Sequence, residues 1–278
     1  MSVGNFILLG AIAGFTIFLG LPIGRLRTRS PRLTALLNAI TIGVLVFLLW
    51  DVLAHAVEPI DTSLSDARGK SFEHWLPFAG YVSVFFISTA IGLIGLVAYD
   101  GLVARRAARG AILGGADARQ GFLRLGETSS RLAFLIAVGI GLHNFSEGLA
   151  IGQSAASGQI SLAIVLVIGF GLHNATEGFG ITAPLAGTER RPSWGHLAVL
   201  GVIGGTPTLV GTLLGSVFVN DVVSMAFLAL AAGSILYVIV QLVSVAIKLG
   251  RGYTLYLGLL SGLFAGFATD FIVVAAGV

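Results

Sequence analysis

A chain of 278 residues that is 56% hydrophobic and only 10% charged, with a mean hydropathy of +0.96, is far more apolar than a water-soluble domain and reads as an integral membrane protein. It has no cysteine, which excludes disulfides and thiolate ligands, so any metal site must use imidazole, carboxylate, amide or water. The net charge of +3 comes from basic clusters beside apolar runs, which mark topology and give no ground for nucleic-acid binding.

The first apolar run has no basic residue before it and is too long for a signal-peptide core, so it is expected to stay as a span. Runs of about 20 residues, enough to cross the hydrocarbon core as a helix, recur eight times: near 4–24, 34–57, 79–104, 131–156, 159–185, 196–216, 222–249 and 253–276. The reading is one transmembrane domain, 1–278, all helical, with a polar, basic and glycine-containing cytoplasmic loop over 105–130. The gap between spans four and five is so short that the two must form an antiparallel hairpin.

Basic residues follow every odd-numbered span: Arg25, Arg27, Arg29 and Arg32; Arg105, Arg106, Arg109, Arg119, Arg124 and Arg131; Arg190 and Arg191; Lys248 and Arg251. These ends are expected in the cytoplasm. On the other side, the loop after span two holds Glu58, Asp61, Asp66 and Glu73 against Arg68 and Lys70, and the later loops carry little charge beyond Asp221. This alternation over an even number of spans predicts both termini outside.

Spans four and five carry the chemistry. GLHNFSEGLAIG begins at Gly141 and GLHNATEGFGIT at Gly171. Residues three or four apart share a helix face, so His143, Asn144 and Glu147 form one polar triplet, and His173, Asn174 and Glu177 form its copy. Both fall near the middle of neighbouring antiparallel spans. A single ionised residue at the bilayer centre costs roughly 2.5–3.5 kcal/mol. Interhelical hydrogen bonding accounts for one such triplet, but not for a carboxylate placed twice at midplane; a divalent cation compensates both. Imidazole, carboxylate and amide oxygen suit zinc, iron(II), manganese or cadmium better than copper(I) or magnesium. The surrounding glycines, among them Gly139, Gly148, Gly178 and Gly180, let helices approach closely.

Two HNx[ST]EG repeats on consecutive spans of an eight-span chain resemble the ZIP (Zrt-, Irt-like protein) family of divalent metal transporters. The resemblance implies that His143, Asn144, Glu147, His173, Asn174 and Glu177 form the transport site, often with two adjacent metal positions. It further implies a 3+2+3 bundle in which spans one to three relate to six to eight by an inverted repeat, and a homodimer. In span two, WDVLAHAVEP places Asp51 and His55 on one face and is similar to the family's Asp-x-x-x-His feature; with Asp270 of span eight they are expected to line the outer approach. Two positions depart from the family. Thr206 stands before Pro207 where many members have a glutamate, which favours a single metal, and Gln241 replaces a glutamate usual in span seven. The cytoplasmic loop after span three also lacks the histidines common in relatives.

The expected function is transport of divalent transition-metal ions, zinc first and Fe2+, Mn2+ or Cd2+ as alternatives, toward the cytoplasm by a multi-pass protein of the cell membrane. Asp51, His55 and Asp270 collect the ion, the triplets replace its hydration shell, and one bundle rocks against another. Protons compete for the same ligands, so uptake depends on pH. No enzyme activity and no cofactor beyond the transported ion are expected. The alternative from another class is an intramembrane zinc-dependent hydrolase with an open metal position for water; a metal sensor or channel subunit ranks below it, since no signalling domain is present.

Overall fold

The computed structural model describes residues 1–25, 31–112, 127–185, 191–217, 220–249 and 252–275. Arg27, Arg29, Arg119, Arg124, Arg190, Arg251 and most of the 105–130 loop lie outside them. Among the described residues there is no strand, and eight helices are long and apolar enough to cross a membrane. We number them α1 (Val3–Arg25), α2 (Pro31–Ala67), α3 (Trp75–Ile112), α4 (Thr128–Ala156), α5 (Ile160–Thr182), α6 (Trp194–Gly215), α7 (Asp221–Leu249) and α8 (Tyr253–Ala275).

The outer face is apolar, as lipid requires, and the core is largely apolar too, with the few polar side chains of the spans kept inside. Phe86, Ile87, Ile91 and Ile94 of α3 and Tyr256, Leu257, Leu260 and Phe264 of α8 are exposed on the outer face. His143, Asn144, Glu147, His173, Asn174 and Glu177 are all buried.

Packing divides the bundle into two groups of four. In one, α4 and α1 lie against α6, and α5 lies against both α1 and α4; in the other, α2 packs on α8 and α7, and α3 packs on α7. Within each group, helix backbones touch. A Cβ at Gly178 would collide with the Ile17 carbonyl, one at Gly148 with the Thr208 carbonyl, one at Gly262 with the Ile40 carbonyl and one at Gly233 with the Thr89 carbonyl. Between the groups α4 packs on α7 through a shared apolar core, and the glycines there meet side chains and not carbonyls: the closest approach to a Cβ at Gly139 is the Ser234 Cβ at 3.5 Å, and at Gly180 it is the Thr41 methyl at 3.4 Å. The first group is also tied at its basic end, where Arg25 donates to the Pro192 carbonyl and stacks 4.5 Å over the Trp194 ring.

Three local features position the site. The α4–α5 turn is short because α4 ends in a glycine cap: Gly158 takes φ 81°, the Gln159 amide donates to the Ser154 carbonyl, and the Gly158 amide to Ala155. α1 breaks at Thr16, whose hydroxyl donates to the Ala13 carbonyl at 2.7 Å. α6 contains Pro207, which has no amide proton for the Ile203 carbonyl and loosens that turn.

The second helix differs from the sequence expectation in length. It continues through Pro59 to Ala67, so Glu58, Asp61 and Asp66 stand on a helix and not in a loop. Hydropathy ends a span where lipid ends, whereas backbone hydrogen bonding carries the helix on into water. His55 is therefore well inside α2.

Candidate metal centre

The hairpin of α4 and α5 runs the two triplets past each other in opposite directions. Within each helix the i, i+4 spacing brings imidazole to carboxylate: His143 Nε2 is 3.2 Å from Glu147 Oε1, and His173 Nε2 is 3.7 Å from Glu177 Oε1. Across the pair, the two imidazole rings lie 6.0 Å apart, and one ligand atom from each of His143, His173 and Glu177 falls within 4.8 Å of the others. A modest contraction brings such a set to the roughly 2.0–2.2 Å bonds of zinc to nitrogen and oxygen.

The two asparagines are oriented by helices outside the hairpin. Asn144 Nδ2 donates to the Gly204 carbonyl at 3.0 Å, and Asn174 Nδ2 donates to the Ala13 carbonyl at 2.9 Å. Each acceptor sits beside a helix irregularity, Pro207 in α6 and the Thr16 break in α1. With the amide nitrogens engaged, both Oδ1 atoms are buried and without hydrogen-bond partners. So are Nδ1 of His143, Nε2 of His173, Oε2 of Glu147 and both carboxylate oxygens of Glu177. Buried polar atoms are ordinarily paired, and this concentration of unused lone pairs around one point is what a cation would satisfy.

The residues expected at the entrance share a cavity with the first triplet. A space of about 350 Å³ is lined by Asp51, His55, Asp270, His143 and Glu147, together with Ser146, Gln153 and Ser224, which the sequence reading left without a role. Asp51 and His55 approach to 3.5 Å. A wider cavity of about 680 Å³ shares His55 and Ser224 with it and continues past Glu58, Asp66, His74 and Asp221. The acidic end of the protein thus leads toward Glu147 past Asp51, His55 and Asp270, between walls that are otherwise largely apolar, such as Leu149, Leu166 and Phe170. The signal that could have found Gln153 is helical spacing: it stands seven residues after Ser146, two turns along the same face of α4.

The two departing positions fall in different surroundings. Thr206 lines a separate apolar cavity of about 530 Å³ with Phe145, Pro207 and Phe227, in which none of the six triplet residues takes part. Gln241 lies near the basic end beside the buried Tyr237 hydroxyl, which also faces Asp100. Asp100 of α3 pairs with Arg131 of α4 at 2.6 Å. Arg131 read as a topology marker; it also bridges the two helix groups, and nothing local to α7 could reveal that Asp100 stands nearby. Asp100→Asn and Arg131→Gln are each expected to lower the detergent melting temperature, and the double variant to lose less than the two singles together. The coupling should be about 1–3 kcal/mol, read from a double-mutant cycle of unfolding.

A family model described as ZIP Zinc transporter matches residues 117–272, more than half of the chain, spanning α4 to α8 and both triplets. No curated protein matches the chain.

Proposed function

Because the chain belongs to the ZIP zinc transporter family, whose activity is divalent metal transport, we propose that it carries zinc toward the cytoplasm of a cell through the His143, Asn144, Glu147, His173, Asn174 and Glu177 centre. The observation that carries this reading is the cluster itself: imidazole and carboxylate atoms within 4.8 Å, fully buried, with both amide oxygens free of partners. The ligand chemistry favours zinc among the divalent transition metals and admits Fe2+, Mn2+ and Cd2+.

In this mechanism the acidic end faces outward with both termini, and the basic end faces the cytoplasm. Asp51, His55 and Asp270 attract the ion and draw it into the 350 Å³ cavity. Glu147 and His143 receive it, and His173 and Glu177 complete its shell. Release on the far side follows from movement of the α1, α4, α5 and α6 group against the other four helices. At the two glycines that face the other group, Gly139 and Gly180, no backbone carbonyl blocks such a movement. The expected inverted repeat finds support in the pairing of contacts: α1 with α5 and α6 with α4, α2 with α8 and α7 with α3. One metal per centre is our reading, because Thr206 brings no charge to it. The hydrolase alternative has no observation in its favour, since neither triplet supplies a base apart from the ligands.

Uptake into proteoliposomes tests the proposal. Zinc should accumulate, the other three metals should compete, and acidifying the binding side should reduce the rate because protons take the ligand lone pairs. Absence of flux together with metal-dependent turnover of a lipid or peptide would overturn it.

A further inference from the structure

Ser146 carries a hydroxyl that behaves unlike most others buried in the bundle. A serine or threonine in a membrane helix usually donates to a carbonyl three or four residues back, as Thr41, Thr182, Thr212 and Ser234 do. Ser146 is 8% exposed, yet its Oγ has no hydrogen-bond partner. It precedes Glu147, lies one turn after His143, and lines the cavity that also holds Asp51, His55 and Asp270. Thr208 likewise lacks a partner but lines none of the cavities described above.

The duplication fails at this position. Thr176 occupies the equivalent place in α5, and its hydroxyl donates to the His173 carbonyl at 2.7 Å. The cavity is one-sided in the same sense. α4 contributes His143, Ser146, Glu147 and Gln153 to it, whereas α5 contributes only Leu166 and Phe170. An ion arriving through this space therefore meets the ligands of α4 before those of α5.

We propose that Ser146 is a ligand of the inbound ion, the neutral oxygen that takes it from Asp51 and Asp270 and passes it to Glu147 and His143. The assignment rests on reading the triplets as the transport site. A hydroxyl suits a transient position: its lone pairs bind a cation while its proton is donated to a neighbouring carboxylate. Being uncharged, it holds a divalent ion less tightly than Glu147 does and so releases it inward.

The chain has no cysteine, so Ser146→Cys introduces a single thiol. In proteoliposomes, Ser146→Ala should raise the KM for zinc about tenfold with little change in maximal rate, and Ser146→Thr should restore most of the loss. In Ser146→Cys, a small charged thiol reagent added on the acidic side should label the protein, saturating zinc should slow labelling at least about tenfold, and competition should shift toward cadmium. A KM for Ser146→Ala within about twofold of wild type, or labelling of Ser146→Cys that ignores zinc, overturns the assignment. Glu147→Ala separates the two levels of the argument. Normal uptake in that variant removes the transport site itself, whereas a dead Glu147→Ala beside wild-type behaviour at Ser146 removes only the role of the serine.

Discussion

Alanine at Glu147 or at Glu177 abolishes metal uptake, to at most about a hundredth of the wild-type rate, while the protein still inserts and folds. Loss of a partner that merely orients a metal ligand costs about 10–100-fold, and each of these side chains is a carboxylate of the proposed site itself. A hundredfold loss corresponds to about 2.7 kcal/mol. Glu177→Ala is expected to act in the opposite direction on the metal-free protein. Both Glu177 carboxylate oxygens are buried and unpartnered, so its removal relieves the protein of an uncompensated polar group. Metal-free Glu177→Ala should therefore melt no lower than wild type, whereas Glu147→Ala also breaks the 3.2 Å pair with His143 and should melt lower; zinc should raise the melting temperature of wild type alone. Uptake measured beside thermal unfolding reads both effects, and unimpaired flux in both variants contradicts the site.

A disulfide between the two helix groups arrests transport reversibly. Gly139 of α4 and Ser234 of α7 face each other across the boundary, with a built Gly139 Cβ 3.5 Å from the Ser234 Cβ. That separation falls within the range a disulfide spans, roughly 3.5–4.5 Å between Cβ atoms. Because the chain has no other thiol, Gly139→Cys with Ser234→Cys oxidises to one defined bridge. The oxidised protein should lose at least about nine-tenths of its uptake, regain it in reductant, and keep its affinity for zinc in a binding assay. Single cysteine variants should be insensitive to oxidant. Full flux through the bridged protein would show that the ion passes without relative movement of the groups.

The sequence carried the eight spans and the two triplets for a simple reason: both depend on local regularities, the length of an apolar run and a spacing of three or four residues. Asp51, His55 and Asp270 are grouped through the resemblance of span two to the family's Asp-x-x-x-His feature, and the three do line one cavity. What escaped was set by contacts between distant segments. The extension of α2 to Ala67 was hidden because hydropathy reports lipid, not helix. The pairing of Asp100 with Arg131 joins two helices on either side of a long loop. Ser146 was in plain view within GLHNFSEG, but its lack of a partner becomes visible only when the carbonyls around it are placed.

The anchoring of the two asparagines makes the centre a poor candidate for transplantation. All six triplet side chains lie on one hairpin of fewer than sixty residues, Thr128–Thr182, and that hairpin looks portable. Yet Asn174 takes its orientation from a carbonyl in α1, and Asn144 from one in α6. A hairpin moved into another scaffold brings the proposed ligands but loses both struts, and the freed amides could turn their nitrogens toward an ion. A designer copying this site must therefore import two broken helices along with the motif, with the irregularities at Thr16 and Pro207 intact.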